Sequence, residues 1–186
     1  DEWMRELEST DFLTKMNAWK KSGQEFLFDM MQEHPKAFSG KLEAYLSAEI
    51  NYDWAYHLLI YGSTYHNRHE LSNDFLDFLE LIPLNGSCAA SPFYRKYVFA
   101  RINYLHQTID PNQDYLTDML ALADSLLEGE IRAWFLSELF IKNLEERAKS
   151  DFIDYYYNFL NETDFPAYGQ RLFYKMQELM PLTIGS

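Results

Sequence analysis

Glu49, Asp53 and His57 recur every four residues in FSGKLEAYLSAEINYDWAYHLLIY, the run from Phe38 to Tyr61. On a helix that spacing puts all three on one face. A carboxylate one turn from an imidazole can raise the histidine pKa, or the two can ligate a metal together. Three residues over two turns span roughly 12 Å, too far for one ion to take all three. Tyr56 sits beside them, and the four make the candidate binding face of this sequence. The competing reading, which outweighs it, is a polar stripe that satisfies tyrosine hydroxyls between packed helices. A small helical enzyme built on this face would need an open pocket there.

Other chemistry-bearing residues are less organised. His66-Asn67-Arg68-His69-Glu70 superficially resembles a zinc-protease motif, but its order is neither HExxH nor HxxEH, so it reads as a polar loop. Cys88 is the single cysteine, which excludes an intrachain disulfide. No neighbouring base in sequence activates it. Asn85-Gly86-Ser87 and Asn161-Glu162-Thr163 match the glycosylation triplet, which matters only in a eukaryotic secretory setting. Tyr155-Tyr156-Tyr157, with Phe152 and Phe159, offers either an aromatic ligand platform or, as such runs more often do, core packing with one ring exposed. No catalytic residue, metal site or cofactor is assigned.

Elements that would position these residues follow from periodicity. In the Phe38–Tyr61 run, Leu46, Ile50, Trp54, Leu58 and Tyr61 form one stripe, and Tyr45, Glu49, Tyr52, Tyr56 and Ile60 form a second beside it. A helix with two such stripes needs neighbours on two sides, which makes it the centre of a fold. Before it, Phe12, Met16, Trp19, Phe26 and Met30 predict a helix to about His34, with Ser9, Thr10 and Asp11 as capping residues and Gly23 as a weak point. After it come a predicted helix from Ser72 through Glu80 and another opened by Pro92. A further helix ends at Gly129, and the next is apolar almost all round from Ile131 to Ile141 and therefore buried. Two more are capped by Ser150/Asp151 and Asp164. Pairs beginning near Ser72, Asn112 and Asp151 recur at about the period of stacked helical hairpins. The expected fold is all-α: an irregular stack of about eight helices arranged as αα-hairpins, helical-repeat-like, without strands.

Composition agrees. Fourteen Tyr and fourteen Phe mean large rings do the packing, while only seven Gly and six Pro leave few tight turns. A net charge of −13 disfavours nucleic acid, whose phosphates need clustered Lys and Arg. It equally disfavours an anionic membrane surface. No run of apolar residues reaches the length of a membrane span. At 186 residues the chain is expected to form a single helical domain, or at most two small ones, and to be a piece of a longer chain.

The closing residues, Glu178-Leu179-Met180-Pro181-Leu182-Thr183-Ile184-Gly185-Ser186, resemble the junction just before a thioredoxin-like domain. In TlpA/ResA-type thiol-disulfide oxidoreductases of the bacterial cell envelope, a Leu/Ile-x-x-Gly-type segment leads into a Pro-Asp-Phe entry to the first strand. Upstream, the Tyr45–Tyr56 stretch YLSAEINYDWAY resembles the all-helical segment that precedes this domain in some multidomain members from Gram-negative bacteria. The resemblance implies a parent that is periplasmic or anchored to the outer membrane and redox-active through a Cys-x-x-Cys. This sequence has no Cys-x-x-Cys, so no catalytic residue is carried over. The implied role is a non-catalytic accessory domain that binds a protein partner or its own thioredoxin-like domain. The alternative is a stand-alone helical-repeat adaptor that binds a peptide or protein.

Overall fold

A computed structural model describes residues 6–65, 71, 74–84, 88–107, 114–146 and 152–179. Among them are eight helices and no strand: α1 Ser9–Glu33, α2 Gly40–Tyr65, α3 Phe78–Leu81, α4 Pro92–Gln107, α5 Tyr115–Leu126, α6 Gly129–Glu146, α7 Phe152–Glu162 and α8 Pro166–Leu179. The chain divides into two compact units, residues 1–105 and 106–186.

Helix starts follow local chemistry. The orphan amides of a first turn are taken by short polar side chains. Ser39 Oγ accepts from Leu42 N (3.2 Å), Ser91 Oγ from Tyr94 N (3.0 Å), and Asp114 from Thr117 N (3.1 Å). Pro92 and Pro166 occupy first helical positions, where a missing N–H costs nothing. Two expected caps differ. The residue ahead of α1 is Glu8, which makes no side-chain cap bond, and Ser9 is already helical and buried. Asp164 lies two residues ahead of α8 and is exposed. The helix expected over 72–80 is reduced to the single turn of α3, with residues 74–77 forming turns before it. Ser72, Ser150 and Asp151 lie outside the described residues. Gly129 does not close α5 but opens α6, with a φ of +56° that residues bearing a Cβ rarely adopt.

In unit 1, α2 is the hub. Toward α1, the Tyr61 ring stacks on Phe12 at 4.1 Å, and Trp54 Nε1 donates to Asn17 Oδ1 (3.1 Å). Lys20 Nζ sits 3.8 Å above the Trp54 ring, a cation–π contact. Gly23 does not break α1. A Cβ there would meet Ile50 at an ordinary 3.4 Å, so the glycine sits in normal packing against α2. Toward the 74–84 segment, the Phe78 ring meets Trp54 edge-on at 5.4 Å, and Phe75 lies 5.5 Å from Tyr61. On the other side Tyr52 meets Tyr94 and Tyr97 of α4 at 4.5 and 5.6 Å.

In unit 2, α6 plays the same part. Ile131, Ala133, Trp134, Phe135, Leu136, Leu139 and Phe140 are all buried, as a helix apolar all round requires. It carries α8 through Ser137 Oγ donating to the Tyr168 carbonyl (3.2 Å), the Tyr168 hydroxyl donating to Glu130 Oε1 (2.9 Å), and an Arg171–Glu138 ion pair. Its contact with α7 is the edge-to-face pair Phe140–Phe159, and with α5 the pair Arg132–Asp124 at 2.7 Å.

Trp54→Ala removes the indole that α1, α2 and Phe78 share. The expected loss in urea unfolding of unit 1 is about 3–5 kcal/mol. A loss below about 1 kcal/mol would place the centre of that unit elsewhere.

Candidate functional site

Of the four residues proposed from spacing, the structure joins three. Asp53 is buried, and its Oδ1 lies 3.3 Å from His57 Nε2 one turn on. The Tyr56 ring packs edge-on against the His57 ring at 5.4 Å, with Lys96 Nζ 6.0 Å from the Tyr56 ring centre. Glu49 is half-buried, and its Oε1 has no hydrogen-bond partner. Among the described residues no group of three His, Cys, Asp or Glu is placed to hold a metal ion. The face presents a carboxylate and an imidazole one helical turn apart beside the Tyr56 ring, with no hydrogen bond formed at the Asp53 oxygen that faces His57.

The polar tips of those rings have a different destination. Tyr97, Tyr52 and Tyr94 donate their hydroxyls to three consecutive carbonyls, those of Ile82, Pro83 and Leu84 respectively; the first two bonds are 3.3 Å. Two rings from α4 and one from α2 thus hold the segment between α3 and α4. Burial raises the Tyr52 phenol far above the ordinary tyrosine range, helped by its neighbours Tyr94, Cys88 and Tyr97. Burial also raises Tyr97, against the opposing pull of the Arg101 charge beside it, and raises Tyr61, whose hydroxyl donates to the Leu7 carbonyl at 2.8 Å. Cys88 is a half-buried free thiol, 3.9 Å from the Ala44 carbonyl.

A second imidazole–carboxylate pair, which the sequence spacing does not offer, lies in unit 2. His106 Nδ1 is 3.4 Å from Oδ2 of Asp118, which is buried in the first turn of α5, and the His106 ring stands edge-on to Tyr115. No motif spacing signals this pair, since its members belong to different helices, α4 and α5. The two facing atoms lie close without forming a hydrogen bond, and a reaction would further need a nucleophile or a bound substrate.

The third feature is aromatic. Tyr156 is buried, whereas Tyr155 and Tyr157 are 41% and 57% exposed, so two rings of the triplet face outward rather than one. Consecutive helical residues point about 100° apart, and only the middle one can face the unit's interior. On α8, Phe173 and Tyr174 are 45% and 63% exposed, with rings 6.0 Å apart. They lie off the stripe Phe165, Tyr168, Leu172, Met176, and large rings off an amphipathic stripe are the signal that could have found them. A cleft of about 400 Å³ opens between α7 and α8, lined by Tyr156, Leu160, Gly169, Gln170, Phe173 and Tyr174 among others. A second, of about 560 Å³, lies on the α6 side of α8 and shares Gln170 and Tyr174 with the first. The HNRHE stretch, Asn85-Gly86-Ser87 and the closing residues from Met180 lie outside the described residues; Asn161 is exposed at the end of α7.

Compared with family models, with curated proteins and with solved structures, the chain finds no match.

The buried phenols give a pH prediction with a definite sign. Unfolded tyrosines ionise near pH 10, while Tyr52, Tyr61 and Tyr97 stay neutral to higher pH in the fold. Above that point the unfolded chain binds fewer protons than the folded one, so stability is intact below about pH 10 and falls as pH rises through the folded values. With phenolate absorbance and far-ultraviolet circular dichroism followed together, a fraction of the phenols should ionise only as helix is lost. Ionisation of all of them near pH 10 with the helices intact would contradict the burial described.

Proposed function

We propose that this chain is a helical protein-interaction module that recruits a polypeptide partner and performs no chemistry of its own. The observation that carries the reading is the exposed aromatic set on two adjacent helices, Tyr155 and Tyr157 on α7 and Phe173 and Tyr174 on α8. Rings of this size are costly to leave in water, and aromatic residues concentrate at protein interfaces. The acidic balance of −13 leaves protein as the partner class more readily than nucleic acid or an anionic membrane. No helix among the described residues is long and apolar enough to cross a membrane.

The finer reading rests on the resemblance of the closing residues and of the Tyr45–Tyr56 stretch. It makes the module the accessory domain of a periplasmic or outer-membrane-anchored thioredoxin-like oxidoreductase, delivering partners to a Cys-x-x-Cys that this sequence does not contain. Reading the native coding frame past the Ser186 codon tests this parentage. A Pro-Asp-Phe entry followed downstream by Cys-x-x-Cys is expected. A frame that closes at Ser186 removes the redox parent and leaves the adaptor.

The interaction reading has its own check. Replacing Tyr157, Phe173 and Tyr174 by Ser should change unfolding free energy by about 0.5 kcal/mol or less at each position, as at surface sites. Losses of several kcal/mol at each would make them structural rings and remove the basis of the proposal.

A further inference from the structure

We infer that a pocket between α5, α6 and α7 binds a free α-amino acid with an apolar side chain, its ammonium held at Asp124 and its carboxylate at Arg132. This is a small-molecule site, separate from the exposed rings that carry the interaction-module reading.

The pocket has a volume of about 220 Å³. Sites for drug-sized ligands run to roughly 300–1,000 Å³, so the occupant is smaller than those. Its floor is apolar: Leu136, Phe140 and Phe159 are buried, and Leu120 is half-buried. An ionised side chain would lose hydration on that floor and gain no partner there. A short aliphatic one gains by leaving water.

Asp124 of α5 and Arg132 of α6 line the same pocket. A guanidinium and a carboxylate that serve only each other pair side by side through both oxygens. Here Arg132 Nε and Nη2 both donate to one oxygen of Asp124, Oδ1, at 3.0 and 2.7 Å. Arg132 Nη1 and Asp124 Oδ2 bond to no described residue. The two side chains are 33% and 60% exposed, so a solute can reach them.

That arrangement selects a zwitterion. A lone carboxylate on Arg132 would lie beside the Asp124 charge, and a lone ammonium on Asp124 would lie beside the Arg132 charge. An α-amino acid carries both signs on groups attached to one carbon, so each meets its opposite. It also has no net charge, whereas a chain of −13 repels free anions. Two neutral groups lining the pocket supply further donors for the carboxylate. Thr163 Oγ accepts from Phe165 N at 3.2 Å, which leaves its hydroxyl proton to donate. Asn158 is exposed and brings an amide with two N–H donors.

The test is a heteronuclear NMR titration of the isotopically labelled 186-residue chain with L-leucine. Glycine, leucinamide and N-acetyl-leucine are the controls, lacking in turn the side chain, the carboxylate and the ammonium. Leucine is expected to shift the amides of Asp124, Arg132, Asn158 and Thr163 saturably in the millimolar range. Each control should bind about tenfold more weakly, for want of one charged hydrogen bond or of the buried side chain. Asp124→Asn and Arg132→Gln should each weaken leucine about tenfold. Both variants should keep their helix content, because ion pairs this exposed add little to stability. Leucinamide binding as well as leucine would overturn the assignment in favour of the first residue of a polypeptide, and N-acetyl-leucine binding as well in favour of the last. Glycine binding as well would remove the role of the floor and the assignment with it. Shifts that persist unchanged in both variants, or no saturable shift from leucine, also defeat it. Tyr157, Phe173 and Tyr174 do not line this pocket, so each of these failures leaves the interaction-module reading standing.

Discussion

The constraint on which the first unit depends is that a tyrosine ring is apolar and its tip is not. Burying Tyr52, Tyr94 and Tyr97 removes large areas from water, but each hydroxyl must then find an acceptor inside the protein. Helical carbonyls each already accept a backbone N–H and take a second donor less readily. The acceptors come from non-helical backbone, the three carbonyls of Ile82, Pro83 and Leu84. That segment cannot be helical: Pro83 biases the residue before it toward extended backbone, and Ile82 has φ −106° and ψ 108°. One proline thus frees a run of carbonyls, and three phenols from two helices hold it in place.

The two units solve the same packing problem with different hubs. In unit 1 the hub helix α2 carries Asp53 and His57 among its rings, so polar groups are enclosed with the aromatic ones. In unit 2 the hub α6 is almost wholly apolar along its middle, and its polar residues bond outward to α8 and α5. Because α6 already fills the centre of unit 2, the surplus rings of α7 and α8 have no interior left to enter. Their exposure is a consequence of placing one helix buried along its apolar middle among shorter amphipathic ones.

Much of this was legible in the sequence, for physical reasons. Buried stripes obey the helical period, so α2 and α6 could be found from Leu58, Tyr61, Phe135 and Leu139 alone. The pairing of Asp53 with His57 is likewise dictated by one turn of helix. Features set by tertiary contacts were not legible. The partners of Tyr52, Tyr94 and Tyr97 lie in a loop whose path no periodicity describes. His106 meets Asp118 from a different helix, a contact that spacing along one helix does not describe. The helix expected from Ser72 shrinks to α3 because Phe75 and Phe78 reach α2 through turns rather than from one helical face. Tyr155 and Tyr157 carried a signal, since three adjacent rings cannot share one helix face, but a run of tyrosines read by composition hides it.

Exposed rings also have to coexist with solubility, and the charge pattern shows how. Exposed rings on a neutral protein invite self-association, whereas a net charge of −13 makes copies repel one another. That repulsion does not act on a partner without net negative charge. On the interaction reading proposed above, the same charge biases the exposed rings toward partners of different composition. An interaction surface of this kind needs no chemical group of its own. It needs rings held in place by closely packed helices, as α7 and α8 are where Leu160 lies against Gly169.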